Sequence, residues 1–219
     1  MQLYNKGINI YTMREIDPNT TNRAKAFKLW MKAPMPMVTM TKRYNISPLL
    51  RLSKRKGIKF NMLMCYTVVK AASKFKEFYT LPVGDKLMEF DNLAINTIVL
   101  TKNGGINTCD IPFSEDIHKF EKDYLRITSE ASSATDDITL GDDYMVIGSS
   151  ALTKCELESV VNVYAGYWNN PFVVWSKYRK GIFKSTMSLS FQFHHTQMDG
   201  PISTAFLSEI QSVINSISY

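Results

Sequence analysis

The chain has 219 residues, enough for one domain to bury a full core without disulfide or metal staples. Hydrophobic residues make up 45% and charged residues 21%, as in ordinary globular proteins, and no apolar run is long enough to cross a membrane as a helix. The net charge is +6, much of it between Lys28 and Lys59. A basic patch fits nucleic acid, an anionic surface or a phosphate-bearing small molecule. No helix-turn-helix, zinc-finger or RNA-recognition pattern accompanies it, so on charge alone it reads as a solvated face. Neither a membrane nor a nucleic-acid partner is expected. Three cysteines, Cys65, Cys109 and Cys155, form no close spacing, which fits a reducing cytosol better than a disulfide framework. The N-terminal stretch lacks the basic start and apolar run of a secretion signal, so a cytoplasmic location is expected.

In chain order the pattern is mixed α/β, with no repeat or linker, and implies one domain over 1–219. Residues 24–32 carry apolar positions at helical spacing after the capping-type run DPNTTN. Residues 35–44 alternate as a strand. Residues 47–56 open on Ser47 and Pro48, an N-cap followed by the first helical position. Residues 59–78 read as one long helix, apolar on more than one face. Residues 87–102 read as two strands about a turn at Asp91 and Asn92. Residues 114–133 form an amphipathic helix with the stripe Ile117, Phe120, Tyr124 and Ile127, capped by Ser114. A strand is expected at 144–152 and another at 170–178. After a Lys180-Gly181 turn, a third spans 185–195. A closing helix, 201–217, has proline in its first turn.

The stretch FQFHHTQMDG, residues 191–200, holds two of the three histidines. His194 and His195 end a strand, where neighbouring side chains point to opposite faces. One therefore faces inward and the other lines a cleft. Three readings of this cleft histidine are open. It is a structural polar residue; or, with Asp199, it is part of a metal site; or it is a general base. A metal site lacks a third ligand, since His118 lies on a helix without ligand spacing. A base would act on a substrate hydroxyl, because no GxSxG elbow or reactive cysteine motif is present.

HHTQMDG resembles the HHxxxDG signature of the CoA-dependent acyltransferases, above all the trimeric chloramphenicol acetyltransferases. The resemblance extends along most of the chain. Ile16-Asp17 and Arg23-x-x-x-Phe27 resemble the family's early segment, and Lys59-Phe60 its start of the long helix. IPFSEDIHKFEKDYL (111–125), SSAL (149–152) and NPFVVWSKY (170–178) resemble further family segments, and Gln192 occupies its conserved-type Gln before the histidines. This implies a two-layer α/β fold, a mixed sheet with helices. It implies acetyl-CoA as co-substrate and O-acetylation of a small hydroxyl acceptor, with chloramphenicol first in line. It also implies a homotrimer with sites between subunits.

By the same resemblance His195 is the general base and His194 structural. Asp199 pairs with Arg23 and holds the backbone of the site, and Ser150 bonds the tetrahedral oxyanion. Lys59, Lys177 and Tyr178 face CoA. Trp30, Met31, Ile106, Val161 and Val174 line the acceptor pocket. The chain departs from the pattern at Thr153 and Lys154, where the family has Pro-Trp. It departs again at Trp30 for Tyr, Ile106 for Phe, Val174 for Thr and Asn61 for an aromatic. Two other readings remain: a same-fold acyltransferase with another hydroxyl acceptor, and a non-catalytic binder of an apolar ligand.

Overall fold

The computed structural model describes residues 13–164, 166 and 168–219. Residues 1–12, which carry most of the stretch read for a secretion signal, lie outside the described residues. A six-stranded mixed sheet forms the frame. Its strands are β2 (Met37–Asn45), β5 (Asn92–Leu100), β6 (Ile106–Pro112), β7 (Tyr144–Leu152), β8 (Phe172–Ser176) and β9 (Thr186–His194), in the order β2-β9-β8-β7-β5-β6. β5, β7 and β8 run parallel to one another, while β2, β9 and β6 pair antiparallel with their neighbours. A second, three-stranded sheet has the order β1-β4-β3, with β1 (Met13–Ile16), β3 (Thr80–Val83) and β4 (Lys86–Phe90). The α-helices among the described residues are α1 (Ala24–Trp30), α2 (Ser47–Lys56), α3 (Phe60–Ala72), α4 (Ile117–Ala131) and α5 (Gly200–Ser216). Among the described residues no helix is long and apolar enough to cross a membrane.

The period-two pattern of β9 determines the two sides of the sheet. Leu189, Phe191 and Phe193 enter the main core, where Phe191 meets Phe78 at 5.9 Å and Phe206 of α5 at 4.8 Å between ring centroids. Ser190, Gln192 and His194 take the opposite side. They are also buried, because the segment after β7 lies across them. The Val160 N–H donates to Ser190 Oγ at 2.8 Å, and Gln192 Nε2 donates to the Asn162 carbonyl at 3.1 Å. α3 is apolar nearly all round, with ten buried residues among its thirteen, and therefore sits inside.

Most expected elements lie within a residue or two of their predicted ends, and the differences have local causes. The helix expected over 59–78 stops at Ala72. Phe75 is extended, with φ −119° and ψ 120°, and a 3-10 turn at Lys76–Tyr79 delivers Phe78 to the core. Ser47 lies inside α2 instead of capping it, and its hydroxyl donates to Asn45 Oδ1. Asp116, not Ser114, caps α4, its carboxylate accepting from the His118 N–H at 2.9 Å. The expected stripe of α4, Ile117, Phe120, Tyr124 and Ile127, is buried. The sequence pattern does not signal β1, β3 or β6 as strands. β1 and β3 are four residues long, and β6 is an edge strand that buries Asn107 and Asp110 against its neighbours.

One glycine is dictated by close approach. Gly148 of β7 faces Phe172 of β8, and a Cβ there would overlap the Phe172 ring. Gly148→Ala is expected to destabilise the protein by about 1–3 kcal/mol through overpacking. Thermal unfolding of the variant checks this; an unchanged midpoint would mean the ring yields freely.

Candidate active site

β9 ends at His194, and the next five residues make the turn into α5. Three restraints shape that turn. The His195 N–H donates to the Pro36 carbonyl at 2.8 Å, tying it to the start of β2. The Thr196 N–H donates to His194 Nδ1 at 3.1 Å. Most of the rest comes from Arg23, just before α1. Its Nε donates to the Thr196 carbonyl at 2.8 Å and its Nη2 to the His195 carbonyl at 2.6 Å. Nη1 and Nη2 also grip the two carboxylate oxygens of Asp199 at 2.5 and 3.0 Å. One guanidinium thus holds both backbone carbonyls and the carboxylate of the turn.

This occupies Asp199. It stands at the N-cap of α5 yet makes no side-chain capping bond, because Arg23 has taken its oxygens. Pro201 and the helix dipole still favour the start of α5 there. Asp199 Oδ1 lies 3.4 Å from His195 Nδ1, and that nitrogen is buried with no hydrogen-bond partner among the described residues. The contact is electrostatic proximity, unlike the short, aligned bond of a triad. The hydrogen bond from Arg23 leads in holding the Asp199 carboxyl below its usual range, and the charges of Arg23 and His195 add to it. The pair is half open: Arg23 is buried, whereas the Asp199 side chain is 49% exposed.

The two histidines divide as alternation requires. His194 is 2% exposed and faces the covered side of the sheet. Burial, with the neighbouring His195 as a smaller cause, pushes its imidazole down to about 4, so it is neutral at physiological pH. His195 opens to the surface, its side chain 30% exposed. Its ring stacks on Trp30, the last residue of α1, with centroids 4.7 Å apart and planes at 7°. Such a stack holds the ring plane as well as burying area. Trp30, expected only as a pocket wall, is therefore a neighbour of the histidine itself. No spacing signals this contact, since the two residues belong to opposite ends of the chain. Met31 follows Trp30 and is half-buried. The remaining histidine, His118, packs its ring on Tyr219 at 4.3 Å.

The other expected site residues lie elsewhere. Ser150 of β7 is in register with Val174 of β8, which is in register with Ser190 of β9. His195 lies five residues beyond Ser190. The two site residues are thus separated by about 16 Å along the strands and about 10 Å across them. Around Ser150 gather the other candidates. Ile106 pairs with Leu100 at the carboxyl end of β5 and is 64% exposed. Val161, on the segment crossing the sheet, is also largely exposed. Lys59 stands exposed at the N-cap of α3 and lines a groove of about 420 Å³ between β5 and α4. Phe60, next to it, meets the Tyr178 ring at 5.9 Å, and Lys177 precedes Tyr178 on the exposed side of the chain. One chain therefore carries two separate groups of candidate residues. One holds His195, Arg23, Asp199 and Trp30. The other holds Ser150 and Val174, with the lysines and Tyr178 at the same carboxyl edge of the parallel strands.

A mixed six-stranded sheet, helices packed against its core side, and a histidine turn at the end of β9 define the fold of the CoA-dependent acyltransferases. Comparisons agree. A solved chloramphenicol acetyltransferase superposes with a TM-score of 0.81 over 92% of this chain and 99% of its own, at 19% identity. A probable dihydrolipoamide acetyltransferase from Listeria monocytogenes superposes at 0.65, covering 94% of each chain at 16% identity. In sequence, chloramphenicol acetyltransferase 3 of Escherichia coli is 25% identical over 185 residues, 81% of this chain and 85% of the relative. The Clostridium perfringens chloramphenicol acetyltransferase is 25% identical over 203 residues, 90% and 93% of the two chains. The chloramphenicol acetyltransferase family model matches residues 11–211. The chain belongs to that family, as an acyltransferase whose relatives imply acetyl-CoA as co-substrate.

Two outcomes are expected from the electrostatics. His194 has a folded-state pKa below its ordinary 6.5, so the unfolded chain binds the extra proton first. Its contribution is complete above pH 6.5 and is lost as pH falls toward about 4, a drop of up to about 3 kcal/mol. Chemical denaturation across that window should show the drop in wild type and a flatter profile in His194→Asn. Asp199 acts lower, its stabilisation present above 3.8 and lost below. Asp199→Ala should destabilise by about 1–2 kcal/mol, reduced by solvent screening. Arg23→Ala, which strips two carbonyls and a carboxylate of their donor, should lose about 2–4 kcal/mol. Equal thermal shifts for the two variants would contradict this asymmetry.

Proposed function

We propose that the protein is a cytosolic acetyl-CoA-dependent O-acetyltransferase that acts on chloramphenicol, with His195 as general base. The observation that carries this reading is the open His195 ring, clamped between Trp30 and a turn held by Arg23. With Nδ1 buried, Nε2 is the nitrogen left to meet a substrate hydroxyl. It takes the hydroxyl proton as the oxygen bonds to the thioester carbonyl carbon. The tetrahedral oxyanion accepts a hydrogen bond from Ser150, a contribution of typically a few kcal/mol. Collapse breaks the C–S bond, and the thiolate of CoA takes the proton back from the imidazolium. No protein nucleophile is needed, because positioning and one base supply the rate. Arg23 and Asp199 act as positioning residues. Lys59, Lys177 and Tyr178 receive the phosphate and adenine end of CoA, with the basic groups matching its charge. Trp30, Met31, Ile106, Val161 and Val174 form the acceptor walls.

The separation of Ser150 from His195 supports a site shared between copies. Hydrogen-bond reach is about 3 Å, far short of the distance between them within one chain. A homotrimer would set the His195 half-site of one copy against the Ser150 half-site of the next. The exposed Ile106 and Val161 then become pocket walls instead of solvent-facing side chains.

CoA thiol release from acetyl-CoA with chloramphenicol tests the chemistry. Wild type should turn over, His195→Ala should not, and Ser150→Ala should fall by about a hundredfold. Other hydroxyl acceptors in the same assay identify the substrate if chloramphenicol fails. Co-refolding His195→Ala with Ser150→Ala tests the shared site. In a trimer assembled at random, about one quarter of the sites pair two intact halves and regain activity. A mixture as inactive as its parents would place both residues in one chain's site.

A further inference from the structure

The hairpin between β8 and β9 has an apex that its own folding does not explain. Arg179 and Thr186 exchange both backbone hydrogen bonds, at 2.8 and 2.9 Å, and the Gly181 N–H reaches the Lys184 carbonyl at 3.1 Å. Ile182 and Phe183 are the two central residues of the turn, 95% and 96% exposed. Tight hairpin turns favour Asn, Asp and Gly at these positions, not a β-branched and an aromatic residue. What the turn does require is Gly181, where a Cβ would lie 2.6 Å from the Lys184 carbonyl oxygen.

The surroundings are basic. No acidic residue occurs between Lys177 and Met198. Arg179 pairs with Glu156 at 2.8 Å, but Lys180 and Lys184, which flank the apex, are exposed and make no described ion pair. The stretch 46–60 touches the hairpin stem at both ends. The Ile46 N–H donates to the Ser185 carbonyl at 2.9 Å, and Phe60 meets Tyr178. Between these contacts runs α2, whose last turn carries the exposed Lys54, Arg55 and Lys56. An apolar apex thus stands beside positive charge at Lys180, Lys184 and the end of α2, residues other than the Lys59 and Lys177 proposed for CoA.

We propose that this hairpin docks the protein onto an anionic lipid surface. Ile182 and Phe183 enter the interfacial layer, and Lys180, Lys184 and the end of α2 meet the headgroups. The apex favours lipid over a protein partner. It is convex and offers two side chains, whereas a stable protein interface buries about 1,600 Å² in total. A bilayer surface needs no matching groove, and apolar insertion with nearby lysines is a sufficient pair of signals. The expectation of no membrane partner rested on the lack of a spanning run, which a peripheral contact does not need.

Co-sedimentation with vesicles of equal parts phosphatidylglycerol and phosphatidylcholine tests the proposal. Wild type should bind, should weaken as salt rises, and should not bind pure phosphatidylcholine. Ile182→Ser with Phe183→Ser, and separately Lys180→Glu with Lys184→Glu, should each weaken binding by at least about tenfold. Both double variants should keep their circular dichroism and wild-type turnover. Absence of wild-type binding, or full binding by the apex variant, overturns the proposal. So does a change in oligomeric state of the apex variant by sedimentation velocity, which assigns the apex to contact between copies. The vesicle readout is independent of the acyl-transfer assay, so each reading can fail alone.

Discussion

The turn from His195 to Asp199 depends on one guanidinium. Arg23 donates to two main-chain carbonyls and to both carboxylate oxygens, and it is itself buried. Without it the turn would present buried acceptors with no donor, a penalty of about 1–3 kcal/mol for each group. Much follows from that anchor. Asp199 is drawn away from capping α5 and from a full hydrogen bond to His195. The imidazole is left with a buried Nδ1 and an aromatic neighbour on one face. Its orientation comes from packing and main-chain restraint more than from a carboxylate partner. Because Arg23 and Trp30 flank the same short helix, α1 couples the electrostatic clamp to the ring stack.

The sheet distributes the rest of the chemistry. β5, β7 and β8 run parallel, and their carboxyl ends gather Ser150, Ile106 and the lysines. β9 runs the other way and delivers His195 to the opposite edge. An antiparallel strand beside parallel ones is thus what sets His195 and Ser150 at opposite edges. Apolar side chains such as Val161 and Ile106 face outward in a single chain.

What the sequence made legible follows physical strength. β9 was readable because alternation is strict from Met187 to Phe193, and α4 because its apolar stripe repeats at helical spacing. β1 and β3 were not, because four residues carry too little pattern. The end of α3 was misplaced because Phe75 and Phe78 continue an apolar trend while the backbone turns away to bury Phe78. In the site, the pairing of Arg23 with Asp199 and the roles expected of His195 and Ser150 came from motif resemblance, not from spacing. The stack of Trp30 on His195, and the carbonyls that Arg23 holds, depend on contacts between distant segments. No local pattern encodes them.

β9 also constrains how this chain can change. Its apolar row is locked into the core, its polar row is held under the crossing segment, and the strand runs directly into the turn at His195. Removing or adding a single residue within it would send every side chain beyond the change to the wrong face and move the histidine off its anchor. Point substitutions can be absorbed one at a time, but changes of length there cannot. Length variation is instead open to the exposed 101–105 connection, where Thr101 and Gly105 close a loop far from the histidine turn. The strand that places His195 is therefore a fixed ruler within the fold, and diversification is left to the loops.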